Sequence, residues 1–260
     1  MTPILAFDIE TIPDCRGLRA TLGLPAEVPD ADVVEIAFQQ RRRITGSDFL
    51  QPYVQRVVAI SCALRDRQGF RAFTLGTLED AEAALVQRFF DGIAHYTPQL
   101  VSWNGSGFDL PVLAQRALIH GLSAPRFWDQ GEDDRDFKWN NYLARYHTRH
   151  IDLMDVLALY GGRANAPLDE MARLCGFPGK LGMDGSQVWP AWQEGRLPEI
   201  RAYCETDATN TYLLYLRFQR LRGQLTAEAY DEEVALVRNT LAASDQPHWA
   251  EFLAAWPPQD

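Results

Sequence analysis

The chain has no CxxC pair and no histidine at the spacing of a zinc site. Its four cysteines, Cys15, Cys62, Cys175 and Cys204, are scattered. That argues against a structural zinc centre and fits plain thiols in a reducing compartment. No apolar run approaches the roughly 20 residues needed to span a bilayer. The N-terminal MTPILAFDIET meets acidic residues before a signal-peptide core can form. The expectation is a cytoplasmic protein with no membrane partner. Cationic charge is also scarce: 25 Lys and Arg stand against 35 Asp and Glu, for a net charge of −10 and a pI near 5.0. Bulk electrostatic binding to long nucleic acid needs clustered Lys and Arg, so it is disfavoured. A nucleic-acid enzyme is not excluded. Metal sites are built from carboxylates, and bound divalent cations reverse the local field. Internal repeats and low-complexity tracts are absent.

What is present suits one large α/β domain, or a domain with a small appendage: 260 residues, 47% hydrophobic and 23% charged. Residues 3–9 (PILAFDI) form a short apolar run ending in acid, the pattern of a buried strand. Residues 57–64 and 69–75 read as a hairpin, and 99–103 as a further strand. From Thr77 to about Tyr96 the periodicity is helical, with Thr77 as N-cap and Asp80 three residues on. A helix over Asp109–Gly121 carries Pro111 in its first turn and Gly121 at its end. Further helices start near Asp152, Leu168, Gln187, Glu199, Thr226 and Gln246. Residues 14–56, with Arg41, Arg42 and Arg43, and residues 125–150 have a different texture, that of insertions carrying binding loops.

Three motifs carry chemistry. In Phe7-Asp8-Ile9-Glu10-Thr11 the acids lie two apart on a strand, so they project from one face. Neighbouring carboxylates repel and are costly to bury without a cation, and oxygen-only ligands suit Mg²⁺ or Mn²⁺. Taken alone, DIE is better read as a solvated strand end. In the stretch from Ser102 to Asp109 a strand ends, glycines turn, and an acid opens a helix. Asp109 is there either a third carboxylate at a strand's carboxyl edge or a helix cap, and Asn104 suits turn chemistry. In Tyr203-Cys204-Glu205-Thr206-Asp207, Tyr203 and Asp207 share a helix face and Glu205 lies on another, solvated one.

Together, FDIET at 7–11, NGSGFDLP at 104–111 and YCETD at 203–207 resemble the DnaQ-like 3′→5′ exonucleases of the DEDDy type. The likeness covers roughly residues 3–222. It is closest to the exonuclease domain of family B DNA polymerases and to stand-alone bacterial proteins related to it. The His variant of the family places histidine five residues before the last Asp; here that residue is Ala202, while Tyr203 stands four before. The resemblance implies an RNase H-like α/β fold, with a mixed central sheet flanked by helices. An exonuclease domain is expected over 1–225, with 14–56 inserted between the first two strands, and a helical C-terminal extension over 226–260. It implies release of 5′-mononucleotides from the 3′ ends of single-stranded DNA or RNA, DNA being favoured, with two Mg²⁺ or Mn²⁺ ions. Asp8 would bridge both ions, Glu10 and Asp207 would complete the site that activates water, and Asp109 would hold the second ion, largely through water. Tyr203 would orient the attacking water, since a phenol of pKa near 10 is a poor general base. The alternatives are a non-catalytic nucleic-acid-binding or adaptor module on this fold, and a metal-dependent phosphatase or nuclease of unrelated fold.

Other residues carry weaker signals. Lys180, in the loop PGKLGMDGS, suits either a phosphate contact or a turn-rich connector. Asn104, Phe108 and Lys180 are the substrate-contact candidates. Trp103, Phe108 and Trp139 have faces on which a base can stack, although Trp103 and Phe108 also suit the core. Asp152 and Asp155 read as capping and solvated residues, and His147 and His150 as ordinary polar contacts. The Arg41–Arg43 run reads as a solvated face, and is still the first place to seek a phosphate contact.

Overall fold

The computed structural model describes residues 2–257. A five-stranded sheet lies at its centre, in the order β3-β2-β1-β4-β5. β1 (Ile4–Pro13) pairs antiparallel with β2 (Gln55–Asp66), which forms the expected hairpin with β3 (Gly69–Thr74). On its other edge β1 pairs parallel with β4 (Gln99–Ser102), which pairs parallel with β5 (His150–Asp152). The sheet is therefore mixed, as expected. In the connection between β1 and β2, α1 (Cys15–Leu22) and α2 (Asp30–Thr45) pack around Leu18, Val33, Val34, Leu50 and Val54.

Alternation along β1 decides which side chains go where. Leu5, Phe7 and Ile9 face a layer made by α3 (Glu82–Tyr96) and α4 (Asp109–His120), with Leu85, Val86, Phe89, Val112 and Leu113. Ala6 faces the opposite layer, dominated by α9 (Leu197–Leu221). Asp8 and Glu10 share the parity of Ala6, so they too project toward α9. A register shift opposite Glu10 and Thr11 leaves Val58 unpaired on β2; Val58 and Ala59 then face the same cluster as Ile200, Tyr203 and Cys204. Shorter helices line the route from α4 to α9: α5 (Pro125–Trp128), α6 (Leu153–Leu157), α7 (Leu168–Leu174) and α8 (Val188–Gln193). α10 (Ala227–Ala242) and α11 (Pro247–Ala255) add Tyr230, Val234, Trp249 and Phe252 to the cluster that α9 builds against the sheet. The Arg65 guanidinium fixes α10 to β2 by donating to Glu233 at 2.6 and 2.8 Å. No helix among the described residues is long and apolar enough to cross a membrane.

Two expectations need correction. The helix does not begin at Thr77 but at Glu82. Arg201 donates to the carbonyls of Thr74, Leu75, Gly76 and Thr77, and the Thr77 N–H donates to Asp80 Oδ2 at 2.8 Å. Residues 74–80 are thus held as a turn by a long-range cation. In addition, the segment before α6 is a short strand, β5, where only a helix start was expected near Asp152. Asp152 does cap α6, accepting from Asp155 N at 3.4 Å.

Candidate active site

The three motifs meet around β1, where its α9-facing acids come close to α9 and to the first residue of α4. β1 supplies Asp8 and Glu10. α9 supplies Tyr203, Cys204 and Asp207, at i, i+1 and i+4, a spacing that leaves them on adjoining parts of one face. α4 supplies Asp109 at its first residue. Glu10, Asp109 and Asp207 are only 8%, 5% and 3% exposed, whereas Asp8 opens into a cleft of 530 Å³ that it shares with Asp207 and Lys180.

Asp109 is placed by the turn before it. Asn104 sits in the left-handed region at φ 66°, which asparagine tolerates better than most residues. The Asp152 carboxylate accepts from Asn104 N–H and Ser106 N–H, both at 2.9 Å. A Cβ on Gly105 would lie 2.3 Å from Ser102 Oγ, so only glycine fits there. Ser102 in turn pairs with the His150 ring at 2.8 Å. Asp152 therefore supports the turn that precedes Asp109, and its charge also helps to raise Asp109.

The four carboxylates are electrostatically one group. Enclosure pushes Asp8 well above its usual range, and the charges of Glu10, Asp109 and Asp207 push it further. Burial and then Asp207 do the same to Glu10. Asp109 is raised by burial to about 7, although N–H groups of Asp109 itself and Ile9 pull it back. Burial raises Asp207 too, despite the adjacent Lys180 ammonium. Four buried acids that each resist ionisation constitute a demand for positive charge.

Lys180 supplies part of it. Its Nζ lies 3.0 Å from Asp207 Oδ2 and donates to the Tyr203 hydroxyl, above whose ring it sits at 4.8 Å. Burial works against its charge, but Asp207, Asp8 and Glu10 outweigh it and hold Lys180 above the usual lysine range. It is one of two lysines in the chain. One cation does not complete the site. Asp207 Oδ1 is buried with no hydrogen-bond partner, and Asp8 and Glu10 bring carboxylate oxygens within 4.8 Å of each other and of Cys204 Sγ. An oxygen-rich set with an unpartnered buried oxygen fits a hard divalent cation.

Cys204 was legible in the sequence only as a scattered thiol. It is buried with its Sγ 3.3 Å from the Asp8 carbonyl oxygen and 3.4 Å from Asp8 Oδ2. Burial and the charges of Asp8 and Glu10 push its pKa well up, so it is a neutral donor that holds Asp8. Its place three residues before Asp207 on a helix was the available signal. Glu205 also departs from expectation. It is not solvated: it accepts from Thr74 Oγ1 at 2.6 Å and lies 3.0 Å from His248 Nε2, because α11 and β3 close over that face. Among the other candidates, Asn104 and Trp103 line the cleft. Phe108 packs on Phe49 with ring centroids 5.2 Å apart and lines neither the cleft nor the groove beside it. Arg42 and Arg43 are exposed on α2, with Arg42 near Glu35 and Asp48. His147 Nδ1 accepts from Asn141 N–H, Asp155 pairs with Arg145, and Trp139 is exposed beneath Lys138.

Comparison with known proteins adds the lineage. A family model described as "predicted 3′-5′ exonuclease related to the exonuclease domain of PolB" matches residues 47–256. The chain belongs to this family. It is 26% identical over 228 residues to the catalytic chain of DNA polymerase epsilon from Schizosaccharomyces pombe, and 25% identical over 225 residues to that of Saccharomyces cerevisiae. Each match takes in 83% of this chain but 9% of the polymerase. A DNA polymerase of Pyrococcus glycovorans is 24% identical over 180 residues, 65% of this chain and 23% of the polymerase. The solved family B DNA polymerase of Pyrobaculum calidifontis has the same fold over 97% of this chain and 28% of its own, with a TM-score of 0.51 and 16% identity.

For this member of the family the carboxylate cluster has a measurable cost. Asp109 titrates at about 7 folded against 3.8 ordinarily. A raised carboxyl contributes stability that is complete below the unfolded pKa and lost as pH rises through the folded one. His150 works in the opposite sense: burial lowers it to about 4, so its stabilisation is lost as pH falls below 6.5. Above pH ~6.5 the His150 effect is complete and the acids dominate. The melting temperature of metal-free protein should fall between pH ~6.5 and ~8.5, and Asp109→Asn should flatten the fall. A melting temperature that rises with pH in wild type would show that the acids do not repel as described.

Proposed function

We propose that this protein is a metal-dependent 3′→5′ exonuclease, releasing 5′-mononucleotides from the 3′ end of single-stranded nucleic acid. One observation carries the reading: four acids from three separate chain segments converge on one enclosed spot, each held above its ordinary range. Asp8, Glu10, Asp207 and Asp109 would hold two Mg²⁺ or Mn²⁺ ions. Bound divalent ions lower the pKa of water, stabilise equatorial phosphoryl charge and ease departure of the leaving oxygen.

The chain's own groups do the rest. Burial first, then Asp207, Glu10 and Asp8, push the Tyr203 phenol far above its usual range, so it stays protonated at neutral pH and serves as a donor. It cannot take a proton from water; it holds and orients one. Lys180 keeps Tyr203 and Asp207 in fixed relation, and its charge also suits a non-bridging phosphate oxygen in the cleft. A water oxygen then bonds to phosphorus, and the bond from phosphorus to the 3′-oxygen of the preceding nucleotide breaks. The proton that the water gives up passes to solvent, and the departing oxygen takes a proton from solvent to become a 3′-hydroxyl. DNA is favoured over RNA because the relatives are DNA polymerases, an argument by analogy.

Purified protein with Mg²⁺ or Mn²⁺ and 5′-labelled oligonucleotides tests this. Linear single strands should shorten from the 3′ end, with 5′-mononucleotides present at the first time points. A 3′-phosphate should block the reaction. If circular single strands are cut as fast as linear ones, the exonuclease reading is wrong. A protein that binds oligonucleotides but never cuts them is the adaptor instead.

A further inference from the structure

Beside the carboxylate cleft lies a second and larger cavity, a groove of 700 Å³. The two share Asn104, Met154 and Asn165 on their walls, so they adjoin. One wall is the turn of the second motif with the start of α4, from Asn104 to Ala114; the other comes from the chain between Phe127 and Asn165, which none of the three motifs contains. Its volume is in the range of about 300–1,000 Å³ typical of ligand pockets.

Its lining carries one permanent cation, Arg145, and two acids, Asp152 and Asp155. The groove's acids are all occupied. Asp152 accepts from the N–H groups of Asn104 and Ser106, and Asp155 accepts two bonds from Arg145, at 2.6 and 2.8 Å. That pair leaves one amino group of the Arg145 guanidinium unused and fixes the group at the groove, where its Cζ also lies 5.1 Å from the Tyr160 ring centroid. Trp128 lines the same groove with half of its surface exposed. A fixed guanidinium and an open indole face, with no unpaired carboxylate opposing them, match a phosphate and a base. Asn104 and Ser106 add polar contacts where the groove meets the cleft.

We propose that this groove binds the nucleotides immediately 5′ of the one being released, with Trp128 stacking a base and Arg145 contacting a phosphate, so that the substrate is a single strand several nucleotides long. The proposal rests on the exonuclease reading and adds to it a substrate length and two residues. Arg145, on a loop far from the cluster in sequence, then sets affinity for the strand.

The test is binding, with fluorescence anisotropy of single-stranded dinucleotide, tetranucleotide and octanucleotide probes carrying a phosphorothioate at the last linkage to slow cutting. Wild type should bind more tightly as the probe lengthens. Trp128→Ala and Arg145→Ala should each weaken octanucleotide binding about ten-fold or more, the scale of a lost base stack. Arg145→Ala should also flatten the slope of log affinity against log salt by about 0.7, the loss of one phosphate contact on a single strand. Arg145 is a half-exposed side chain, so Arg145→Ala carries the test if Trp128→Ala fails to fold. Wild-type affinity that is equal at all three lengths overturns the proposal. So does Arg145→Ala binding like wild type, or weakening with an unchanged salt slope. Hydrolysis of the p-nitrophenyl ester of thymidine 5′-monophosphate by wild type is measured alongside. Loss of length dependence with that ester still cleaved defeats the groove alone; an uncleaved ester counts against the nuclease reading itself.

Discussion

Asp8→Ala should leave a folded protein with no measurable hydrolysis. Asp8 is the most exposed of the four acids and lines the cleft, and its neighbours Glu10, Asp109 and Asp207 all bear on its charge. In the proposed mechanism, removing it takes away the carboxylate that would serve both ions. The folded state should not suffer. Four mutually repelling acids become three, so metal-free Asp8→Ala should melt at the same temperature as wild type or higher. Asp8→Asn is the companion variant. It keeps the size of the side chain and an oxygen for the Cys204 thiol, but not the charge, so its activity should also be lost. Single-turnover assays beside thermal melts check this, and near-wild-type turnover in folded Asp8→Ala sinks the mechanism.

Tyr203→Phe should lower kcat by roughly ten- to a thousand-fold, comparable to losing one positioned hydrogen-bond donor. The ring packs with Ile200, Val188 and Ile12, and phenylalanine keeps that packing. Lys180 loses the hydroxyl but keeps Asp207 at 3.0 Å. No carboxylate is lost, so Mn²⁺ affinity should barely change. Tyr203→His need not restore activity. In the His variant of the family the imidazole comes from the position of Ala202, and one residue along a helix is a turn of about 100°. Measuring kcat and Mn²⁺ affinity together decides the matter. Unchanged kcat makes Tyr203 a core residue, and a large loss of metal affinity makes its role structural.

Much of the architecture was legible because its signals are local. Gly121 ends α4, and helix starts near Leu168, Gln187, Glu199, Thr226 and Gln246 fall within a residue or two of those observed. Strand parity put Asp8 and Glu10 on one face, and helical spacing put Tyr203 beside Asp207. What escaped is non-local. β5 has three residues, too few for any periodicity, and exists because β4 offers it a parallel edge. Arg201, over a hundred residues away, moves the start of α3 from Thr77 to Glu82. Glu205 has the sequence of an exposed acid until α11 folds over it.

The same division holds at the site. Residue spacing along β1 and α9 was enough to pair Asp8 with Glu10 and Tyr203 with Asp207, because alternation and the 3.6-residue turn are properties of the backbone; that these form one site with Asp109 came from the resemblance of the three motifs together. Their company was not encoded at that range. That Cys204 holds Asp8, that Lys180 bonds to both Asp207 and Tyr203, and that Asp152 supports the turn before Asp109 follow from packing segments dozens to almost two hundred residues apart. The raised pKa values belong to that packing too. An acid on an isolated strand is hydrated and ionised, and only burial beside three others makes it a site that calls for a cation.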